Sequence, residues 1–354
     1  MSSKLIEQDV QFLPKDFELV GEENLSHVDK VYASQSYWKD VLNRFKKNKG
    51  AIIGLICIVL ITFMAIVGVS LNGHTYDSQI IEHQNLAPRI PVVEKLGVFD
   101  GSEGMETSTG TVKVNKYVPT NGNKTGLENV YYWFGTDILG RDIFTRTWIG
   151  TRISLYIALV AVLIDMLVGL SYGLISGYFG GAVDNAMQRF VEILNGIPNL
   201  VIVTLLIIVL KPGLVTITLS LMITGWIGMS RIARAQMLKL KEQEFVLASR
   251  TLGAKDFFII FKEILPNILG AIITSTMFSI PNAIFTEAFL AFIGLGVPAP
   301  MASLGSLISE AFKSFTTHPY MIAPPLLVLA VLMLSFNMLA DGIRDAFDPK
   351  MKEM

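Results

Sequence analysis

Six apolar blocks punctuate this chain, at 51–71, 153–176, 190–210, 214–230, 267–294 and 322–340. Each is long enough to cross about 30 Å of hydrocarbon at about 1.5 Å per helical residue. Inside hydrocarbon a backbone must satisfy its own hydrogen bonds, so each block is expected to be a helix. The expected fold is an all-α polytopic membrane protein with six transmembrane helices. Composition agrees: charged residues make up 17% of the chain, against about 25% in an ordinary soluble domain. Gly196 and Pro198 stand near the start of the third block and are expected to break it, and Pro281 predicts a kink in the fifth.

The blocks divide the chain into an N-terminal segment 1–50, a first span 51–71, a loop 72–150, a core 151–342 and a tail 343–354. Within the core lies a polar stretch, 231–266. Basic residues orient the whole. Arg44, Lys46, Lys47 and Lys49, then Arg189, then seven between Arg231 and Lys262, then Arg344, Lys350 and Lys352 fall on one side. The short connections on the other side hold Lys211 and Lys313. Both termini and the 231–266 stretch are therefore expected in the cytoplasm, and 72–150 outside.

Arg141, Arg146 and Arg152 run against that count. With Phe144, Trp148 and Ile149 beside them, they are expected to form an interfacial helix before the second span. Residues 1–30 read as polar and weakly structured. Next, SYWKDVLNRFKKNKG places Trp38, Val41, Leu42 and Phe45 on one side of a helix, the pattern of an elbow lying in lipid headgroups. The middle of the 72–150 loop is rich in Gly, Thr and Asn without amphipathic period, and reads as a variable or hairpin insertion rather than a core.

Several chemistries have no signature here. Net charge is −1, which does not suggest nucleic acid as a partner. The single cysteine, Cys57, excludes an internal disulfide and a cysteine metal site. His27, His74, His83 and His318 lack ligand spacing, so no metal is expected. No phosphate loop occurs, nor a nucleophile signature, so no cofactor is expected on this chain and it is not expected to be an enzyme by itself. Four carboxylates, Asp165, Glu192, Glu287 and Asp341, fall within or at the ends of spans. Ionised groups are costly there and point to function. Glu192 is best explained by Arg189 one turn away. Asp165 and Glu287, with Pro281, are candidates for a pathway or gate; a proton relay and plain structural pairing stay open beside that.

The stretch EFVLASRTLGAKDFFIIFKEILPN, 244–267, is too ordered for a connector. Glu244 to Leu252 suits a short helix, and Gly253 suits the left-handed turn that stops one. Phe245, Leu247 and Leu252 supply knobs around the low-profile pair Ala248 and Ser249, a shape that fits a partner's groove. Phe257, Phe258, Ile260, Phe261 and Ile264 then resume a helix able to pack on its neighbours. Leu265-Pro266 follows, with Pro266 in the first turn of the fifth span. The piece reads as a docking helix joined rigidly to a transmembrane helix.

This stretch resembles the EAA loop of the membrane subunits of ATP-binding-cassette importers: a Glu-Ala-Ala triplet, three residues, Gly, and an Ile/Leu-Pro ending. Here the triplet reads Leu247-Ala248-Ser249, followed by Gly253 and Ile264-Leu265-Pro266. The triplet's acidic residue is missing, and Glu244 stands one turn earlier. RFKKNKGAIIG, FGTDILGRDIFTRTWIGTRISL and TEAFLAFIGLGVPAP are similar to the C-type permease of oligopeptide and dipeptide importers. The 72–150 loop and FELVGEENLSHVDK are similar to its Gram-positive branch.

The resemblance implies a type I importer permease fold with an extracellular insertion between helices 1 and 2, in a bacterial cell membrane. It implies a second homologous permease sharing the path, two cytoplasmic ATPases that carry ATP and Mg, an extracellular peptide-binding lipoprotein, and peptide as cargo. Glu244 to Gly253 would be the coupling helix, and 296–320 part of the gate or receptor contact. Importers of nickel or another small solute share the family. A proton-coupled secondary transporter using Asp165 and Glu287 is the distant alternative.

Overall fold

The computed structural model describes residues 37–107, 110–118 and 126–347. Residues 1–30, His27, Lys350 and Lys352 lie outside the described residues. Helix α1, Tyr37–Lys47, carries Asp40 in its first turn and Arg44, Lys46 and Lys47 in its last, which complements the helix dipole at both ends. Trp38 and Leu42 are exposed on it. Helix α2, Lys49–Ser70, is the first of the long apolar helices. Asn48 caps it, accepting from Ala51 N at 3.0 Å and donating to Asp345 Oδ2 at 3.0 Å.

The long helix α3 runs from Ile143 to Phe179 and so starts inside the stretch read as loop. Its cap explains the early start. Asp142 accepts from Thr145 N at 2.8 Å and from Thr145 Oγ1 at 2.6 Å, satisfying donors the first turn leaves free. The expected interfacial helix is not what forms. Phe144 and Trp148 are buried in the protein, and Arg146 is fully buried. Arg141 pairs with Asp137 at 2.7 Å and with Glu310 at 2.8 Å. Arg146 pairs with Asp137 and, at 2.9 Å, with Glu310. Two carboxylates neutralise the two guanidiniums, which is what permits their burial. Arg152 instead donates to the carbonyls of Ala65 and Ile66 at 2.6 and 3.0 Å, closing the end of α2.

Helices α4, Gly181–Gly196, and α5, Asn199–Leu210, are bent 76° from each other, the break expected at Gly196 and Pro198. Ile197 is extended, as a residue before proline prefers. Helix α6 runs Leu214–Leu240 and α8 runs Asp256–Leu295, with the short α7, Glu244–Thr251, between them. Helix α9, Leu304–Phe312, leads to α10, Pro319–Phe347. Among the described residues five helices pass for crossings by length and composition, or six if the bent pair α4–α5 is one span. A core of Ile61, Phe144, Trp148, Ile284, Leu332 and Phe336 draws α2, α3, α8 and α10 together.

Between the first two long helices, strands β1, Ser102–Thr107, and β2, Gly110–Asn115, pair antiparallel with Ser102 opposite Asn115. Of the two alternatives the sequence left open, a variable or a hairpin insertion, a hairpin forms. The chain around it is more than an insertion, because Leu86, Tyr117, Leu127 and Tyr132 form a buried cluster of their own. Burial raises the hydroxyl pKa of Tyr117, and pushes that of Tyr132 up to about 12. His318, before α10, meets Glu103 on β1 at 2.8 Å, tying this small domain to the connection between the last two long helices.

Candidate coupling stretch and transmembrane cavity

Val246 positions the short helix α7. It is the one fully buried side chain there, set among Tyr178, Met237, Ile259 and Ile264. Its neighbours turn outward: Phe245, Leu247 and Leu252 are 39%, 47% and 88% exposed. Glu244 and Ala248 are exposed too, and Ser249 is half-buried. The helix therefore shows an apolar rim around a small-residue patch while hanging from one anchor.

Its end is a complete left-handed stop. Ala254 N donates to Ser249 O at 3.1 Å and Gly253 N to Arg250 O at 3.0 Å, the paired bonds of the Schellman motif. Gly253 has φ +83°, and a Cβ built there would meet nothing within 4 Å. Backbone conformation alone demands glycine.

Beyond the turn the structure departs from the sequence reading. Pro266 does stand in the first turn of the α-helical stretch Leu265–Leu290, as expected, but that stretch is not where the long helix begins. The helix already runs from Asp256, and the turn over Ile259–Ile264 widens to π geometry just before Leu265-Pro266. A proline inside a helix lacks its N–H and crowds the carbonyl four residues back, and a wide turn relieves both. Ile260 and Ile264 pack inward, whereas Phe257, Phe258 and Phe261 face outward.

Three glycines hold the neighbouring helices backbone to backbone. A Cβ on Gly173 would lie 2.3 Å from the Ser230 carbonyl oxygen and 2.6 Å from Ala233 Cβ. Gly169 presses on Met229 and Gly177 on Met237 in the same way. The spacing Gly-x3-Gly-x3-Gly in an apolar helix is a known signature of close helix packing, a signal present in the sequence itself. Polar links lock the ends of this seam. Arg234 holds Asp184 at 2.5 and 2.6 Å, Lys241 Nζ reaches Gly177 O at 3.0 Å, and Tyr178 reaches Asp256 at 2.6 Å.

The intramembrane carboxylates separate. Asp165 is 4% exposed and accepts from Ser279 Oγ at 2.5 Å. It lines a cavity of about 420 Å³ with Asn195, Asn199, Thr224, Asn282 and Thr286. Glu287 does not line it; Ser154 Oγ reaches its Oε2 at 3.5 Å, Ser303 also lies against the carboxyl, and Oε1 has no geometric hydrogen-bond partner among the described residues. Pro281 is buried inside α8. Glu192 pairs with Arg189 at 2.8 Å on an exposed face, and Asp341 is exposed. Among the described residues no group of three or more His, Cys, Asp or Glu is placed to hold a metal ion.

Known proteins resemble this chain along almost all of its length. Residues 169–353 match the binding-protein-dependent transport system inner membrane component, and 36–88 match the N-terminal transmembrane domain of oligopeptide transport permease C. The oligopeptide transport system permease protein OppC of Bacillus subtilis is 40% identical, over 97% of this chain and 100% of its own length. The dipeptide transport system permease protein DppC of the same organism is 39% identical, over 96% and 94%. OppC of Salmonella typhimurium is 36% identical, over 89% and 92%.

Proposed function

Since the chain belongs to the family of binding-protein-dependent transport system inner membrane components, we propose that it is the C-type permease of an ATP-driven oligopeptide importer. It has the helical type I permease fold. The observation that carries the mechanism is the contrast within α7: Val246 is buried, and the rim of Phe245, Leu247 and Leu252 is free.

In this reading α7 seats in a groove of a cytoplasmic ATPase, and ATP and Mg are bound there, on the partner. A second homologous permease completes the path, and an extracellular lipoprotein delivers peptide. Both termini are cytoplasmic and the 72–142 domain is extracellular, in a bacterial cell membrane, as the basic flanks indicate. Closure of the ATPases pulls α7. The Gly253 turn and Tyr178–Asp256 pass the movement into α8 and α3 together. The cavity beside Asp165 then alternates between the two sides, and peptide biases that equilibrium only through its unequal affinity for the two states.

The relatives bear oligopeptide and dipeptide names, and the nickel reading is set aside. Gentle detergent extraction from the native membrane, followed by mass spectrometry, tests the assembly. A second permease and two phosphate-loop ATPases are expected. Recovery of the chain alone, transporting in liposomes without ATP, would overturn the reading and return the carboxylates to a proton-driven machine.

A further inference from the structure

We infer that Asp165 is the docking point, inside the membrane, for the protonated α-amino group of a peptide in transit. This rests on the peptide-importer reading above. The cavity of about 420 Å³ falls in the range of roughly 300–1,000 Å³ that encloses small ligands. Asp165 is the one ionisable residue among those lining it. Its carboxylate is almost wholly buried and accepts one hydrogen bond, from Ser279; no basic side chain pairs with it among the described residues. A buried carboxylate without a counter-cation is expensive to keep, and a ligand's ammonium supplies what the protein does not.

Backbone geometry at the site is also unusual. Asp165 opens a π turn, Asp165–Gly169, in which Leu170 N bonds back to Asp165 O. Such wide turns in helices recur at functional sites. The rest of the lining is neutral, with Asn195, Asn199, Thr224, Asn282 and Thr286 set among apolar residues such as Ile164, Leu194 and Leu221. The side-chain amides of Asn195 and Asn282 have no hydrogen-bond partner among the described residues, and Thr224 reaches Asn199 only at 3.4 Å. Amides and hydroxyls both donate and accept. One negative point with several neutral donors and acceptors set in an apolar wall complements a peptide N-terminus: one cation, then alternating N–H and C=O groups, with apolar surface left for the side chains.

The same chemistry argues against two other occupants. A metal ion asks for several oxygen ligands or for imidazole and thiolate, and this cavity has a single carboxylate with neither His nor Cys. A proton relay asks for a chain of titratable groups, and Glu287 lies outside the lining. A single charged contact also suits transit, because a pathway site must release what it binds.

The test uses the intact importer with its receptor in liposomes, ATP inside, and a labelled tetrapeptide. Asp165→Asn is expected to raise KM for uptake about tenfold or more, the worth of one hydrogen bond to a charged group. Asp165→Glu should recover most of it. Ser279→Ala, which keeps the charge but removes the one hydrogen bond to it, should raise KM by clearly less than Asp165→Asn does. In parallel, a tetrapeptide with a photoreactive first residue should label segments 161–165 or 279–286, and the label should be lost in Asp165→Asn.

Wild-type KM in Asp165→Asn overturns the inference and leaves the importer standing. So does a loss that Ser279→Ala reproduces, which would make the carboxylate structural. So does an effect that vanishes once the proton gradient is collapsed, which would make it a relay. A wild-type assembly that takes up no peptide at all overturns both readings.

Discussion

The hydroxyl of Tyr178 donates a hydrogen bond of 2.6 Å to Asp256 Oδ1, joining the last turn of α3 to the first turn of α8. Arg250 of α7 lies over the same tyrosine ring, 5.6 Å from its centroid. Three elements meet on one side chain. Tyr178→Phe keeps the ring and removes the bond, at a cost of about 1 kcal/mol given the exposed carboxylate. Transport per ATP hydrolysed should fall several-fold while assembly persists. An unchanged ratio would show that this junction carries no coupling.

Gly253 sits at φ +83° with open space where a Cβ would go, so substitutions there report backbone strain alone. Holding a β-branched residue in that region costs about 1–3 kcal/mol. Uptake should decline in the order Gly, Asn, Ala, Val, because Asn tolerates the left-handed region best among the replacements. Full uptake by Gly253→Val, at normal expression, would sink the rigid-lever mechanism.

Val246 and Leu247 are adjacent and should behave oppositely. Val246→Ala empties a fully buried position and should destabilise the permease by about 1–2 kcal/mol, at about 0.8 kcal/mol per buried methylene. Leu247→Ala trims an exposed rim; thermal stability should hold while affinity for the ATPases drops. Ala248→Trp should block association by bulk. Pull-down of the ATPases, set beside detergent melting curves, separates the two classes.

This pair also shows how much the sequence disclosed. Helical spans, the break at Gly196 and Pro198, the hairpin and the Gly253 stop follow from local chemistry, and all of them can be read without a structure. Val246 could not be distinguished from Phe245 or Leu247, since three adjacent apolar residues reveal which side is buried only when the partner surface is known. The arginines before α3 misled for a related reason. Glu310, which neutralises Arg146, lies 164 residues away in sequence, beyond any local pattern. The cavity, too, gathers residues from α3, α4, α5, α6 and α8, and a single intramembrane Asp says nothing about that convergence.

Asp137 bridges Arg141 and Arg146. Asp137→Asn leaves two buried guanidiniums sharing the half-buried Glu310, and should cost about 3–5 kcal/mol, enough to lower the yield of folded chain sharply. Glu310→Gln should cost less, because water reaches that end of the cluster. Fluorescence size-exclusion of both variants ranks them; equal losses would mean Asp137 is not the principal counter-ion.

Burial lowers the pKa of His83 from its ordinary 6.5, outweighing the opposing pull of Glu82, while nearby His74 adds to the lowering. The neutral ring contacts the Tyr132 hydroxyl at 2.6 Å. In the unfolded chain His83 takes a proton first, so its contribution is complete above pH 6.5 and is lost as pH falls through the lowered value. The 72–142 domain should therefore loosen on acidification below about pH 6.5. Hydrogen exchange of that domain against pH measures this, and His83→Gln should flatten the dependence.

Gly169, Gly173 and Gly177 form a row of notches: Met229 and Met237 seat their side chains against the first and the last, and Ser230 brings its carbonyl oxygen against the middle one. A slip by one turn would lift both methionines out of their notches at once and drive larger side chains against the backbone contact between them. The pair α3 and α6 is therefore expected to travel as one block through the transport cycle, with spin-label distances across the seam constant whether ATP is bound or spent. Any change of shape that opens the path must then be taken up elsewhere, and the extended joint at Ile197-Pro198 is the place built to bend.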